Sequence, residues 1–423
     1  MSKFNWTDFG IDKKLSAIDR DAMSMCQKHF KIAEDIRDIN QLKVLNSFIE
    51  LGVGAQHLQG STGYGYGDIG REMFDKVFAK SIGAEDALCR TQLMSGTHAI
   101  TVMLFGILRR NMTMLSISGT PYSTLRQSLG LGDSKRGSLH DYGITYKQIE
   151  LDLNGNINVD EVARNIDEVD MVYIQRSRGY SVRNAVSPEE IGRISSTIKE
   201  INREVIIAVD NCYGEFTTTS EPTEFGADIM AGSFIKNPGG GIAETGGYIA
   251  GKNSLVELCA ERLTAPGVGR EIGSNILGYR NMFLGLYMSP HITCEALKGS
   301  IYSSALFELA GYKVSPSFSE RRNDIITSIE MGNENKLMEF CKAIQSTSPI
   351  DSYAVPVPGR MPGYETDVIM ASGSFTNGSS IELSCDAPVA PPYNVYVQGG
   401  LNLISTRYAL LKALSALGNN NDC

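Results

Sequence analysis

At 423 residues, 42% of them apolar, the chain has the length for two or three domains, each able to bury a core of its own. The formal charge is −9, with no basic run longer than Arg109-Arg110 or Arg321-Arg322, so the surface repels phosphate backbones and argues against nucleic acid or an anionic membrane as the main partner. Eight scattered cysteines without a C-x-x-C pair, and five histidines without H-E-x-x-H, suit a reducing compartment and offer no metal site.

The N-terminal "MSKFNWTDFG" lacks the charged-then-apolar order of a signal peptide, and the longest apolar run, near Ala99 to Leu108, is too short to span a bilayer. A cytoplasmic location is the expectation. Residues 1–60 read as a helical segment that ends in the glycine-rich "GVGAQHLQGSTGYGYGDIG". "DALCRTQL" predicts a strand, and Ile100, Met103, Leu104, Ile107 and Leu108 recur at the spacing of a helix with one buried face, followed by the strand "TMLSIS".

Further along, "MVYIQ" (171–175) predicts a strand. "SPEEIGRISSTIKEI" predicts a helix, with Ser187 as N-cap, Pro188 at the first helical position and Glu190 closing a capping box. "VIIAV" (205–209) ends at Asp210 and reads as a strand buried on both faces. Strand, helix and strand at this spacing make a βαβ unit, hence a mainly parallel sheet covered by helices and an α/β fold class. Residues 61–300 are expected to form this large domain. From 301 to 423, "ENKLMEFCKAIQ", "DVIMAS", "SIELS", "NVYVQ" and "ISTRYALLKALSAL" predict a smaller α+β domain.

Two phosphate-loop patterns fail their context. Gly65-x-Gly67-x-x-Gly70 follows polar residues where a dinucleotide fold needs a strand. Gly246 to Lys252 nearly matches a P-loop, but Asn253 replaces the magnesium-binding hydroxyl and "YIA" reads as the strand itself. Cys212 lies at a strand end, where a nucleophile could sit, although a free cysteine is more often simply small and buried.

A third constellation is coherent. Ser95, Gly96 and Thr97 open a helix, whose free N–H groups and positive dipole end suit an anion. Asp210 ends a central strand, and Lys236 follows the next short apolar segment, in front of "NPGGG". An anion site, a buried carboxylate and a lysine together suit pyridoxal phosphate, whose phosphate needs donors, whose ring nitrogen needs a negative partner and whose aldehyde needs an amine. On this reading burial lowers the lysine pKa, and the glycines let backbone pass close to the cofactor.

The runs "SFIKNPGGGIAETGGYIAG", "SGTHAI", "DNCYGEF", "IQRSRGY", "GYGYGDIGRE", "MPGYE", "SIELSCDAP" and "PPYNVYVQGGL" resemble the aluminium-resistance or methionine gamma-lyase-like proteins. These are a branch of the Cys/Met-metabolism pyridoxal-phosphate enzymes of aspartate-aminotransferase fold (fold type I). The resemblance runs from about residue 20 to 400 and implies a homodimer or homotetramer with shared active sites. It implies Lys236 as the Schiff-base lysine, Asp210 as partner of the ring nitrogen, Ser95, Gly96, Thr97 and Ser233 as phosphate donors, and Tyr122 as the ring-stacking aromatic. Tyr66 and Arg71 resemble the pair that reaches the neighbouring subunit's phosphate.

The chain departs from the family pattern at Ala390, where an arginine is expected, and in "QGGLNLIS", and these changes put the substrate in doubt. Arg178 and Arg360 are the candidates for binding the substrate carboxylate, since a planar fork makes two parallel hydrogen bonds. The expected activity is β- or γ-elimination from an amino acid, with sulfur as the leaving atom. Three alternatives stay open: γ-elimination of another leaving group such as halide to give an unsaturated amino acid, an aminotransferase, and a metal-tolerance protein without turnover.

Overall fold

The computed structural model describes residues 4–132, 135–361 and 364–418; Pro362 and Gly363 of the "MPGYE" run, and Cys423, lie outside them. Seven strands, β1 (Asp86–Arg90), β2 (Thr113–Ser116), β3 (Thr145–Gln148), β4 (Met171–Gln175), β5 (Ile206–Asp210), β6 (Ile229–Ser233) and β7 (Gly247–Gly251), form one sheet in the order β1-β7-β6-β5-β4-β2-β3. Only β7 runs against the rest, antiparallel to both β1 and β6. The predicted mainly parallel sheet is present, and the "YIA" that excluded a P-loop lies inside β7.

The inner strands β4 and β5 are almost continuously apolar because both faces are covered, while the edge strand β3 alternates between exposed and half-buried residues. Val172, Ile174, Ile207 and Val209 point to one side, against Phe74, Phe78, Ile191 and Ile194. Their alternates Tyr173 and Ala208, with Ala231 and Ile249, point to the other, against Ile100, Met103, Leu104 and Cys259. The predicted βαβ unit forms, with Ser187 as the N-cap and Pro188 at the first helical position as expected. Ser187 Oγ accepts from the Glu190 N–H at 3.1 Å.

A second, antiparallel sheet holds β8 (Val314–Ser315), β9 (Ile326–Glu330), β10 (Val368–Ser372), β11 (Ser384–Pro388) and β12 (Asn394–Gln398), in the order β10-β11-β12-β9-β8. The helices Glu334–Ser346 and Leu403–Gly418 pack on it. The strand expected over "SIELS" starts four residues later, at Ser384. Glu382 is held instead in a loop, where its carboxylate accepts the N–H groups of Phe375 and Thr376 at 2.8 and 3.0 Å.

Two long helices tie the sheets together. Lys13–Glu50 gives Leu15 to Phe30 to the smaller core and Val44 to the larger. Arg280–Leu309 crosses residue 300 in mid-helix, burying Met282, Phe283 and Leu286 in the larger core and Ile301 to Phe307 in the smaller. Among the described residues no helix is long and apolar enough to cross a membrane.

The helix Arg280–Leu309 also explains the glycines after Lys236. Residues 237–239 form a single 3-10 turn packed on this helix, and Ser289 Oγ donates to the Asn237 carbonyl at 2.7 Å. Gly240 has φ 56°, and a Cβ there would lie 2.6 Å from the Gly285 carbonyl. In return, a Cβ on Gly285 would lie 2.4 Å from the Gly239 carbonyl. The glycines therefore seat the lysine turn on a helix rather than admitting backbone to a ligand, which corrects the sequence-based expectation.

Gly240→Ala should destabilise the protein by about 2 kcal/mol or more, since it combines left-handed backbone with a collision against helix backbone. Gly311→Ala, at φ 84° with open space around it, should cost only about 1 kcal/mol. Urea denaturation of the two variants checks the difference.

Candidate active site

Four strand ends converge on one cavity of about 330 Å³, as expected at the carboxyl edge of a parallel sheet. Register places Gln175 of β4 opposite Asp210 of β5, and Asp210 opposite Ala231 of β6. Ser95 to Thr97 follow β1, and Lys236 follows β6. All of these except Ala231 line the cavity, with Tyr122, Tyr180, Cys212, Tyr213, Ser233 and Tyr364.

The Lys236 ammonium lies 3.4 Å from the centroid of the Tyr213 ring. Tyr213 adopts φ 69°, costly for an aromatic residue, and its backbone is pinned by the neighbour of the lysine: Asn237 Nδ2 donates to the carbonyls of Tyr213 at 3.1 Å and Glu215 at 2.9 Å. Burial pulls the Lys236 pKa down, but Tyr213, Cys212 and Asp210 around it outweigh that and hold it above the ordinary value. The expectation that burial alone would lower it is corrected here.

Asp210 is buried and accepts from the Cys212 N–H at 3.1 Å and from the Tyr173 hydroxyl at 3.4 Å. Burial pushes its carboxyl up, against the pull of the Cys212 N–H and of Lys236. Such a carboxylate would be relieved by a cationic partner in the cavity. Burial and Asp210 also push the Cys212 thiol well up, which favours the protonated thiol.

At the other end, Ser95 caps the helix Gly96–Ile107 by accepting the His98 N–H at 3.1 Å. The Tyr122 hydroxyl donates to Thr97 Oγ1 at 2.8 Å, and its backbone N–H donates to Gln175 Oε1 at 2.9 Å, which fixes the ring over the cavity wall. The Ser233 hydroxyl accepts from the Ile235 N–H and faces the same space. A ligand with an anion at one end and a cationic nitrogen at the other matches this arrangement.

Of the residues expected from sequence, the structure brings Ser95, Gly96, Thr97, Tyr122, Asp210, Ser233 and Lys236 together. It does not bring Tyr66, Arg71, Arg178 or Arg360 to this cavity. Tyr66 is 69% exposed. Arg71 is buried and donates to the carbonyls of Gly65 and Glu271. Arg360 has a side chain 73% exposed and paired with Asp367 at 3.1 Å. Arg178 lines a neighbouring hollow.

Sequence reasoning missed Gln175, Tyr180, Tyr213 and Tyr364. Gln175 could have been found as the polar residue closing "MVYIQ", at the register of Asp210.

Beneath the lysine, Glu215 is buried, with Oε1 accepting from the Tyr248 hydroxyl at 2.8 Å and Oε2 without a hydrogen-bond partner among the described residues. Burial pushes its carboxyl from the ordinary 4.5 up to about 8. The folded chain thus holds a proton that the unfolded chain releases near pH 4.5, and this contribution to stability is present at low pH and lost as pH rises toward 8. Glu215→Gln should flatten the fall in unfolding free energy of the cofactor-free protein between pH 5 and 8 by up to about 1.4 kcal/mol per pH unit. Urea titrations of both proteins across that range measure it.

The chain resembles several known proteins over nearly its whole length. The uncharacterized protein YnbB of Bacillus subtilis is 44% identical over 389 residues, 92% of each chain. The structure of a carbon-sulfur lyase involved in aluminium resistance from Clostridium novyi NT is 46% identical and superposes with a TM-score of 0.93, covering 97% of both chains. At 15% identity, the pyridoxal-5'-phosphate dependent protein YhfS of Escherichia coli shares the fold with a TM-score of 0.62, over 90% of this chain and 97% of its own. The family model described as methionine gamma-lyase matches residues 15–418, and the chain belongs to that family.

Proposed function

We propose that the chain is a pyridoxal-phosphate-dependent lyase of fold type I that eliminates a thiol from the β- or γ-carbon of an amino acid, leaving a 2-oxo acid and ammonia. The observation that carries this reading is the single cavity shared by Lys236, Asp210 and the N-terminal turn of the helix Gly96–Ile107. Membership of the methionine gamma-lyase family supports it, and the likeness to the carbon-sulfur lyase of Clostridium novyi NT supports sulfur as the leaving atom.

Pyridoxal phosphate, when bound, supplies an aldehyde that condenses with amines and a ring that draws electrons from the adjacent carbon. The residues present fit it. The N–H groups of Gly96 and Thr97, with the hydroxyls of Thr97 and Ser233, hold the phosphate. Asp210 would keep a proton on the ring nitrogen, and Tyr122, on the same cavity wall, would pack against the ring. Lys236 moves the proton from the substrate Cα and, for γ-elimination, a second from Cβ.

Lysine is a base only when neutral. Asp210 is one of the groups that keep Lys236 charged, and a cationic ring nitrogen would occupy that carboxylate. That removes one of the influences holding the lysine up, with burial pulling the other way and Tyr213 and Cys212 still raising it.

A homo-oligomer completes this reading. Tyr66 shares an exposed surface with Tyr64, on the loop paired with the segment that carries exposed Ile276 and Leu277. A second copy covers this face and receives Tyr66, while Arg71 holds both loops through the Gly65 and Glu271 carbonyls.

The purified protein should take up pyridoxal phosphate and release ammonia and a 2-oxo acid from an S-substituted cysteine or homocysteine without an added oxo acid. Lys236→Ala should lower turnover by about 10² to 10⁴-fold or more. Undiminished turnover in that variant, or a strict need for an oxo-acid acceptor as in an aminotransferase, overturns the assignment.

A further inference from the structure

A second hollow of about 740 Å³ adjoins the cavity and shares Tyr122, Ser123, Gln175, Tyr180 and Tyr364 with it. Its wall carries two buried arginines, Arg178 and Arg183. Arg183 donates to the carbonyls of Asn184, Gln175 and Ser177, none of which is charged. Arg178 Nη1 donates to Ser315 Oγ at 3.0 Å, and Nε has no hydrogen-bond partner among the described residues. The Asp324 carboxylate lies 3.6 Å from that Nε, an ion pair too long for a hydrogen bond. Asp324 is already accepting the backbone N–H groups of Arg178 and Ile326.

A third buried guanidinium, Arg322, lies in the same field, bonded to Ser304 Oγ at 2.8 Å. Burial draws Arg183 and Arg322 down to about 10, with Arg178 repelling both and Asp324 opposing the fall in both. Three buried cations thus face two buried carboxylates, Asp324 and, for Arg183, Asp210. The other carboxylates on the hollow are exposed and engaged: Glu365 with Arg126, Asp152 with the N–H groups of Asn154 and Asn156, Glu150 with Gln148. Buried charge of one sign is costly, and a bound anion relieves it. Arg178 stands on that wall as a buried cation whose Nε side faces Asp324, and a guanidinium is the planar fork that a carboxylate fits.

We propose that Arg178 and Arg183 form an anion subsite at the inner wall of this hollow, which takes a carboxylate of a thioether amino acid held in the adjoining cavity. The substrate part rests on the lyase reading above. Two carboxylates can supply the chemistry: the one on the reacting amino acid, or one borne on the departing thiol arm. Arg183, which sequence reasoning passed over, acts as a positioning residue by bracing the carbonyls of Gln175 and Ser177 beside the cavity and by adding positive field.

Calorimetric titration of the cofactor-loaded protein with glutarate tests the subsite directly. Glutarate should bind the wild type and bind Arg178→Met at least about tenfold more weakly, with Arg178→Lys between them because it keeps the charge and loses the fork. Absence of glutarate binding to the wild type, or equal affinity in the arginine variants, overturns the proposal. If Arg178→Met does not fold, Arg178→Lys carries the comparison.

Steady-state kinetics then separate the two sources. Equal losses of kcat/KM in Arg178→Lys on S-ethylcysteine and S-(2-carboxyethyl)cysteine place the reacting amino acid's carboxylate there. A loss confined to the second substrate places the arm's carboxylate there. No loss on either substrate overturns the proposal. A wild type that turns over neither removes the lyase reading, while the calorimetry still judges the anion subsite.

Discussion

An ammonium withdrawn from water has to be met by groups that carry opposing or polarisable charge, and the site is organised around meeting that of Lys236. The Tyr213 ring lies under it and the Asp210 carboxylate stands at the neighbouring strand end. Strand pairing fixes the first of these positions, and a side-chain amide fixes the second. Parallel pairing puts Asp210 level with Ala231, and the chain needs only the turn after β6 to bring the lysine back over it. Tyr213 is held in left-handed backbone by the amide of Asn237, so the residue after the lysine sets the ring on which the lysine rests. A change in the turn would move donor and platform together.

Below that pair lies a buried polar layer that the cavity does not see. Arg176 donates to Glu221 at 2.8 Å and to Asn211 at 2.7 Å, Asn211 to Tyr248 at 3.2 Å, and Tyr248 to Glu215 at 2.8 Å. These bonds tie the loop after β5 to β7 in one arrangement, with Arg176 Nε and Glu215 Oε2 the two network atoms left without a partner among the described residues. The motif "DNCYGEF" is therefore a floor for the site. Asp210 faces the cavity, Asn211 and Glu215 face the layer beneath, and Tyr213 turns back to the lysine.

The large sheet was legible in the sequence because strands covered on both faces are continuously apolar, as in "MVYIQ" and "VIIAV", and because Ser187 and Pro188 carry a helix-start signal that tertiary packing does not override. Lys236, Asp210 and the Ser95 turn were legible for a related reason: a charged or capping residue at the end of an apolar run is exceptional. The helix Arg280–Leu309 was not read, since Gly285, Pro290 and Gly299 break the local pattern. Two of these glycines are sites of close packing, Gly285 on the lysine turn and Gly299 on Thr406, so the features that hide the helix are the ones that make it fit. Arg178 and Arg183 illustrate a different limit. Among the "RSRGYSVR" charges nothing local distinguishes a buried guanidinium from an exposed one, because burial is conferred by Asp324 and Ser315 more than 130 positions away.

The departures from the family pattern that first put the substrate in doubt fall at positions with structural work. Ala390 occupies a turn, its N–H donating to Pro388 and its carbonyl accepting from Tyr393. In "QGGLNLIS", Leu401 packs against Gly241 beside the lysine turn and Asn402 accepts the Ser405 N–H at the start of the last helix. None of these residues lines the cavity or the adjoining hollow. Selectivity then has to come from what does line them. Residues 175 to 183 pass from the strand end that faces Asp210 to the arginines of the hollow, so one short loop connects the reacting centre with the charge that a substrate would have to match.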